Sequence, residues 1–240
     1  MIGGVSPRLS ARWIRLPRRW PTLRELARWL VLAVAGLWLL LALVLVSARW
    51  IDPPTTAVHV QRQWQAWMSG KPYVKRYRFV PMGQISPNLQ RAVVAAEDSR
   101  FYQHHGFDWT EIENAAKEDM EGERTRGAST LTQQLVKNMF FGTGRSIVRK
   151  GMEASLVPVA EMALGKKRIL ELYLNVVEWG PGVYGAEAAS RYHYDVPARS
   201  LGREQAARLA AILPAPLKRR PERMNSYSAI IERRMAQMGW

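Results

Sequence analysis

The chain has 240 residues, of which 48% are apolar and 23% are charged, a composition that excludes a disordered or collagen-like protein. Its 35 lysines and arginines against 20 acidic residues give a formal charge of +15, which points to an anionic partner: nucleic acid, an anionic membrane surface or a phosphorylated substrate. The absence of cysteine excludes a disulfide-bonded fold, a cysteine-ligated metal and a catalytic thiol.

An uncharged stretch from Trp29 to Ala48 is long enough, at about 1.5 Å per residue, to cross a bilayer as a helix. We predict a basic cytoplasmic N-terminus at 1–28 and a transmembrane helix at 29–50. A cleaved signal peptide is the alternative, but its apolar stretch would be only about 7–15 residues long. The first 28 residues are rich in arginine and contain Glu25 as their single acid, so the positive-inside rule keeps them in the cytoplasm. The rest of the chain is then expected outside the cytoplasm, held at the membrane by one span.

This division changes the meaning of the net charge. Residues 1–50 contain eight arginines and one glutamate, a surplus of seven, so a surplus of eight remains for the other 190 residues. No zinc-finger or heptad pattern is present. We therefore expect membrane lipids and diphosphates as anionic partners, and no nucleic acid.

A proline-containing linker is predicted at 51–56 and a folded domain at 57–240. Helix signals dominate the sequence of this domain. Ser86 and Pro87 begin a helix that reaches Glu97, and capping-box patterns start at Thr110 and Thr130. Two further helices are predicted at 166–177 and 203–213, and one short strand at 74–80. The sequence thus predicts a mainly α fold with few short strands.

Glu97 is the first candidate for chemistry. It lies at the border of the apolar face and at the C-terminal end of its helix, where partial burial and the helix dipole both raise the pKa of a carboxyl group. A pKa nearer neutrality suits a general base. The alternative is a structural glutamate at the edge of the core, paired with Arg100.

Two cationic segments follow. Residues 127–138 place small and hydroxyl side chains at a helix N-terminus, where free amides bind anions, with Lys137 two turns later. Arg145, Arg149 and Lys150 lie within six residues and would neutralise a diphosphate. The alternatives are an ordinary capped helix and a surface ion pair between Arg149 and Glu153.

Together these segments resemble the peptidoglycan glycosyltransferases of glycosyltransferase family 51, in particular the monofunctional members. The first two motifs are Glu-Asp-x-x-Phe-x-x-His-x-Gly at 97–106 and Gly-x-Ser-Thr-Leu-Thr-Gln-Gln-Leu-x-Lys-Asn at 127–138. The third is Arg-Lys-x-x-Glu at 149–153, and the fourth is Lys-x-x-Ile-Leu-Glu-x-Tyr-Leu-Asn at 166–175. The fifth, glycine-rich motif at 180–189 is followed by Tyr192-His193-Tyr194, where the family usually has Tyr-Phe.

The resemblance implies a lysozyme-like helical glycosyltransferase domain that polymerises lipid II into glycan strands. The growing chain on undecaprenyl diphosphate would pass to the 4-hydroxyl of an incoming lipid II with inversion. Glu97 and Glu153 would be the catalytic carboxylates. The substrate-binding residues implied by the motifs and by position are Asp98, Phe101, His104, Ser129, Thr130, Gln133, Gln134, Lys137, Asn138, Arg145, Arg149 and Lys150.

We expect no required cofactor, although Mg²⁺ or Mn²⁺ at the diphosphate is compatible with this reading, and no residue is assigned as a certain metal ligand. The partners implied are lipid II, the growing glycan strand, membrane lipids, and penicillin-binding transpeptidases or division proteins. The chain itself has no Ser-x-x-Lys or Lys-Thr-Gly motif, so no transpeptidase activity is expected. Two alternatives stay open: a lysozyme-like enzyme that cleaves glycan, and a non-catalytic membrane-tethered scaffold.

Overall fold

The computed structural model describes residues 20–120, 128–144 and 146–240, and helices dominate these residues. The helices are α1 (Leu23–Ser47), α2 (Ala57–Met68), α3 (Pro87–Glu97), α4 (Trp109–Met120), α5 (Leu131–Phe140), α6 (Ile147–Val176), α7 (Ala186–Tyr194), α8 (Arg203–Ile212) and α9 (Asn225–Gln237). The strands are β1 (Arg76–Tyr77), β2 (Glu178–Gly180) and β3 (Val183–Tyr184). The prediction of a mainly α chain with few short strands is confirmed.

Two compact units divide the chain, residues 1–39 and residues 40–240. Most of α1 falls in the first unit, where the described apolar side chains are largely exposed. By length and composition α1 can cross a membrane. It begins at Leu23, before the predicted position 29, because Thr22 and Glu25 cap it reciprocally: the Thr22 amide donates to Glu25 at 2.7 Å and the Glu25 amide to the Thr22 hydroxyl at 3.3 Å.

In the second unit, α3 packs against α8 and α9, and α5 packs along α6. Fully buried aliphatic side chains on these helices form the core, among them Leu89, Leu135, Leu156, Leu209 and Ile231. A small three-stranded sheet lies beside α7 in the order β1–β3–β2. Strand β1 pairs parallel to β3, with Arg76 opposite Val183, and β2 pairs antiparallel to it.

Most predicted helix ends agree with the structure. Ser86 caps α3 with Pro87 in its first turn, the Thr130 capping box forms at α5, and α8 covers the predicted 203–213 to within one residue. The capping box predicted at Thr110 is wrong, because the Asp108 carboxylate already accepts the Glu111 amide at 3.1 Å and α4 begins at Trp109.

Two other elements differ from their predicted extent. The strand expected at 74–80 is reduced to Arg76–Tyr77, since β3, its partner, is only two residues long. The helix predicted at 166–177 is the second half of α6, which changes direction at Gly165. Gly165 has φ +70° and ψ 162°, a conformation that side-chain-bearing residues rarely adopt.

Candidate active site

Glu97 is the last residue of α3. Its half-buried carboxylate accepts a hydrogen bond of 2.9 Å from the side-chain nitrogen Nε2 of Gln134 on α5. Burial raises the pKa of Glu97, and the nearby Asp98 carboxylate adds to this effect. The Gln134 hydrogen bond and the charge of Arg219 act in the opposite direction. The alternative pairing with Arg100 is wrong, because the Arg100 guanidinium lies 3.5 Å from Asp108 instead.

Tyr173 on α6 fixes the orientation of the Gln134 amide. The fully buried Tyr173 hydroxyl donates to Gln134 Oε1 at 3.0 Å, so Nε2 is turned toward Glu97. Burial raises the pKa of Tyr173 well above its usual value, which keeps the hydroxyl protonated and able to donate. The chain Tyr173–Gln134–Glu97 therefore presents a hydrogen-bond donor to the ionised form of Glu97.

Asp98, the next residue, joins the first motif to the second. Its carboxylate accepts from His104 Nε2 at 2.9 Å and from the Leu131 amide, the first of α5, at 2.9 Å. The Gly106 amide donates to His104 Nδ1 at 3.1 Å, so the proton of a neutral His104 lies on Nε2. Phe101 is fully buried beneath these groups. These positions favour supporting roles for Asp98, Phe101 and His104 over contact with substrate.

The loop that carries His104 requires a glycine at position 106. Its φ is +94°, and a Cβ at this position would lie 2.4 Å from Val157 Cγ1 and 3.1 Å from Glu161 Cγ. A side chain would thus be strained and would push the loop away from α6. The close approach keeps His104, and through it Asp98, in place under Glu97.

The N-terminus of α5 is occupied by the protein itself. Leu131 donates its amide to Asp98, and Gln133 donates its amide to the Thr130 hydroxyl at 3.3 Å. The Thr130 amide in turn donates to Gln133 Oε1 at 3.0 Å, and both residues are buried. These two amides are already paired within the protein, which agrees with the alternative of an ordinary capped helix. The helix dipole here stabilises the Asp98 carboxylate.

The other residues of the second motif lie farther along or before α5. Ser129 is exposed just before the helix, and its carbonyl lies 3.4 Å from the Gln134 amide nitrogen. Asn138 is half-buried and donates to the Gln134 carbonyl at 2.7 Å, which stiffens the turn that carries Gln134. Lys137 is half-buried on the same helix.

A cationic cluster occupies the first turns of α6. Arg149 Nε lies 2.9 Å and Lys150 Nζ 3.8 Å from the two oxygens of Glu153. The ion pair between Arg149 and Glu153 is present, but it is not a surface pair, because Glu153 is only 2% exposed. Lys150 is exposed. Arg145 lies outside the described residues.

A second, partly buried network, which we did not predict, joins α5 to α6. Thr132 and Lys166 both donate to Glu161 Oε1, at 2.5 Å and 2.9 Å, and the Lys166 ammonium lies 4.5 Å from the centre of the Phe101 ring. The turn at Gly165 brings Lys166 into this position. The sequence pointed to Lys166, because it is the first residue of the fourth motif. Glu161 and Arg219 belong to none of the five motifs, so no pattern in the sequence indicated them.

One set of described residues has the composition of a metal site. Ligand atoms of Asp98, His104 and Asp108 lie within 4.8 Å of one another. However, His104 uses Nδ1 to accept from Gly106, and its Nε2 proton is directed at Asp98, so neither nitrogen has a free lone pair. Glu153, the second carboxylate that the family resemblance implies at the site, already faces two cations. Neither donor set fits a divalent ion.

Comparison with known proteins identifies the family. The sequence profile described as transglycosylase matches residues 65–238. A biosynthetic peptidoglycan transglycosylase of Pseudomonas entomophila is 47% identical over 221 residues, which cover 90% of this chain and 92% of that protein. The chain belongs to the transglycosylase family.

Relatives of the same name occur in other bacteria. The protein from Rhodospirillum centenum is 46% identical over 216 residues, covering 88% of this chain and 91% of the relative. The protein from Pseudomonas aeruginosa is 44% identical over 209 residues, which cover 85% of this chain and 90% of that relative. The chain is thus a peptidoglycan glycosyltransferase, as its motifs predicted, and its apolar helix α1 agrees with association with a membrane.

Proposed function

We propose that this enzyme polymerises lipid II by a single inverting displacement in which Glu97 is the general base. The observation that carries this assignment is the Tyr173–Gln134–Glu97 chain. It holds a half-buried carboxylate of raised pKa in the orientation that stabilises its ionised form. A base of this kind can take up a proton near neutral pH.

In the proposed step, Glu97 accepts the proton of the 4-hydroxyl of the incoming lipid II. The hydroxyl oxygen attacks the anomeric carbon of the growing chain from the face opposite the diphosphate. The bond from that carbon to the diphosphate oxygen breaks, and its electron pair leaves with the diphosphate. An α-linked donor thereby becomes a β-1,4-linked glycan, and undecaprenyl diphosphate is released.

The leaving group needs charge neutralisation more than protonation, because a diphosphate is already stable as an anion. We assign this role to Lys137, Arg145, Arg149 and Lys150. Glu153 holds Arg149 and Lys150 on one turn of α6, and so acts on the diphosphate through them. Since the described donor sets do not suit a divalent ion, we propose no step that passes through a metal.

The lysozyme-like alternative is less favoured by the environment of Asp98. A glycan hydrolase of the common type needs a second carboxylate that attacks the sugar or activates water. Asp98, the carboxylate next to Glu97, is buried and already accepts from His104 and Leu131. Glu153 is engaged by two cations. Neither carboxylate is placed to supply that second function.

An assay on two substrates tests the proposed reaction. Purified full-length protein is incubated with lipid II and, separately, with intact cell-wall sacculi. We expect glycan polymer from lipid II and no soluble fragments from sacculi. Soluble fragments without polymer would favour the hydrolase, and inactivity on both substrates together with binding of a synthetic partner would favour the scaffold.

The same proposal includes a location and partners. We infer that the N-terminus lies in the cytoplasm and the catalytic domain in the periplasm of the inner membrane, because seven arginines precede the apolar stretch. Because the chain carries no transpeptidase motif, cross-linking would come from penicillin-binding transpeptidases or division proteins nearby. Protease added to spheroplasts tests the orientation: the catalytic domain should be cleaved while a tag on the N-terminus is protected.

A further inference from the structure

Helix α2 uses one face to attach to the catalytic domain. Val58 and His59 are buried, and the Arg62 guanidinium makes three hydrogen bonds of 2.9–3.1 Å to the buried Glu178 carboxylate. His59 also packs its ring against Tyr184, with the centroids 4.0 Å apart. This is the face by which α2 is attached to the domain.

The opposite face is also apolar, but nothing in the described chain covers it. Val60, Trp64, Trp67 and Met68 are each more than half exposed, with Trp67 at 68%. At 100° per residue these four side chains fall within an arc of about 100° whose centre lies almost opposite Arg62. The rings of Trp64 and Trp67 lie 4.8 Å apart, so they form one continuous apolar surface. We call these four residues the outer face of α2.

We propose that the outer face of α2 lies in the interfacial region of the lipid bilayer. A contiguous exposed apolar face marks a site of contact with a protein or a membrane. The outer face contains no charged residue, and two of its four side chains are tryptophan, whose amphipathic ring favours the boundary between head groups and acyl chains. A lipid surface fits this chemistry without needing a complementary partner protein.

The connection to α1 favours the same occupant. Helix α2 begins at Ala57, ten positions after the end of α1, so the two ends are within about 36 Å even if the linker is fully extended. Arg168 donates to the Ala48 carbonyl at 2.9 Å and to Asp52 at 2.7 Å, which holds the start of this linker on α6. Between them, Trp50 is a further tryptophan that is 73% exposed.

The lack of native cysteine allows a direct test by spin labelling. A nitroxide is attached to a single cysteine introduced by Trp64→Cys or Met68→Cys in the full chain, reconstituted into phosphatidylethanolamine–phosphatidylglycerol vesicles. Relaxation by oxygen, which concentrates in lipid, is compared with relaxation by a water-soluble nickel complex. Glu113→Cys on the exposed part of α4 and Gln65→Cys, outside the arc, serve as controls.

We expect the labels at 64 and 68 to have an oxygen-to-nickel ratio at least threefold above both controls. A ratio equal to that of Glu113→Cys would show that the face is in water and would overturn the proposal. Protection from both reagents would also overturn it, because it would indicate a protein partner or a second copy. Adding Trp67→Ser to Met68→Cys should lower the ratio. An unchanged ratio there would show that Trp67 does not hold the face in lipid, and circular dichroism confirms that each variant is folded.

Discussion

The side-chain nitrogen Nε2 of Gln134 lies 2.9 Å from a carboxylate oxygen of Glu97, although the two residues are 37 positions apart and on different helices. The bond exists because α3 ends at Glu97, and because Tyr173 prevents Gln134 from presenting its oxygen instead. If the amide were turned over, its oxygen would face the carboxylate and would disfavour ionisation. The hydrogen bond that favours the ionised form of Glu97 thus depends on Tyr173, a residue of the fourth motif.

Replacing the proposed base should remove activity without removing the fold. We expect Glu97→Gln to lower lipid II polymerisation at least ~10²-fold, the usual contribution of a general base, while lipid II binding changes little. Glu113→Gln, an exposed substitution on α4, is the matched control and should stay active. Full activity of Glu97→Gln would remove this residue from the mechanism.

For Glu97→Gln we also predict how thermal stability, relative to wild type, changes with pH. The folded pKa of Glu97 is raised above its unfolded value, so the folded state binds more protons between the two. The destabilising effect of the carboxylate is therefore absent at low pH and develops as pH rises through the folded pKa. We expect the Tm of Glu97→Gln minus that of wild type to increase from pH 4 to pH 8. A difference that is constant with pH would contradict this.

Gln134 should determine the pH at which activity is lost on the acidic side of the pH–activity profile. Because its hydrogen bond lowers the pKa of Glu97, Gln134→Leu should raise that pKa further and move the acidic limb of kcat to higher pH. Tyr173→Phe should move it in the same direction by a smaller amount, since the amide stays but is no longer oriented. Gln237→Leu, on the exposed side of α9, is the control. An unchanged limb in both site variants would contradict the proposed chain.

The pair of Arg149 and Glu153 separates stability from catalysis. Arg149→Met should destabilise the fold by about 3 kcal/mol, because it removes the nearer cation from a buried carboxylate. Arg149→Met combined with Glu153→Leu should recover most of the Tm but not the full polymerisation rate, since one of the four cations assigned to the diphosphate is then missing. Recovery of both would show that the pair is only structural.

Removal of divalent metal should not stop the reaction. Arg149 and Lys150 already supply positive charge beside Glu153, so polymerisation is expected to continue after dialysis against a chelator. The measurement is the initial rate with and without added Mg²⁺ or Mn²⁺ at constant ionic strength. A loss of more than tenfold that is restored by the metal would mean that an ion replaces one of these cations.

Gly106 should be intolerant of a side chain. In Gly106→Ala the new Cβ would meet Val157 at 2.4 Å in a left-handed backbone conformation, with an expected cost of about 1–3 kcal/mol or more. Gly83→Ala, where a Cβ meets nothing within 4 Å, is the control and should have a nearly unchanged Tm. Equal Tm values for the two variants would contradict the close packing of this loop on α6.

Local patterns in the sequence were sufficient for much of the architecture. Charge and length predicted a membrane helix, and Ser86-Pro87 and the Thr130 capping box predicted where α3 and α5 begin, because caps are satisfied within three or four residues. The apolar stripe of α3 also placed Glu97 at its end and at the border of burial. The errors at Thr110 and at 74–80 arose where Asp108 and the short strand β3 decided the ends of α4 and β1.

The sequence by itself determined the family and the candidate residues for the chemistry, since motifs record side-chain types at fixed spacing. Only the tertiary structure decided how those residues divide the work. Asp98 closes the N-terminus of α5, Tyr173 orients Gln134, and the turn at Gly165 directs Lys166 to Glu161. Each of these contacts joins segments that are far apart in the chain or separated by a change in backbone direction. Their energies depend on burial and on hydrogen-bond geometry, neither of which is encoded in local spacing.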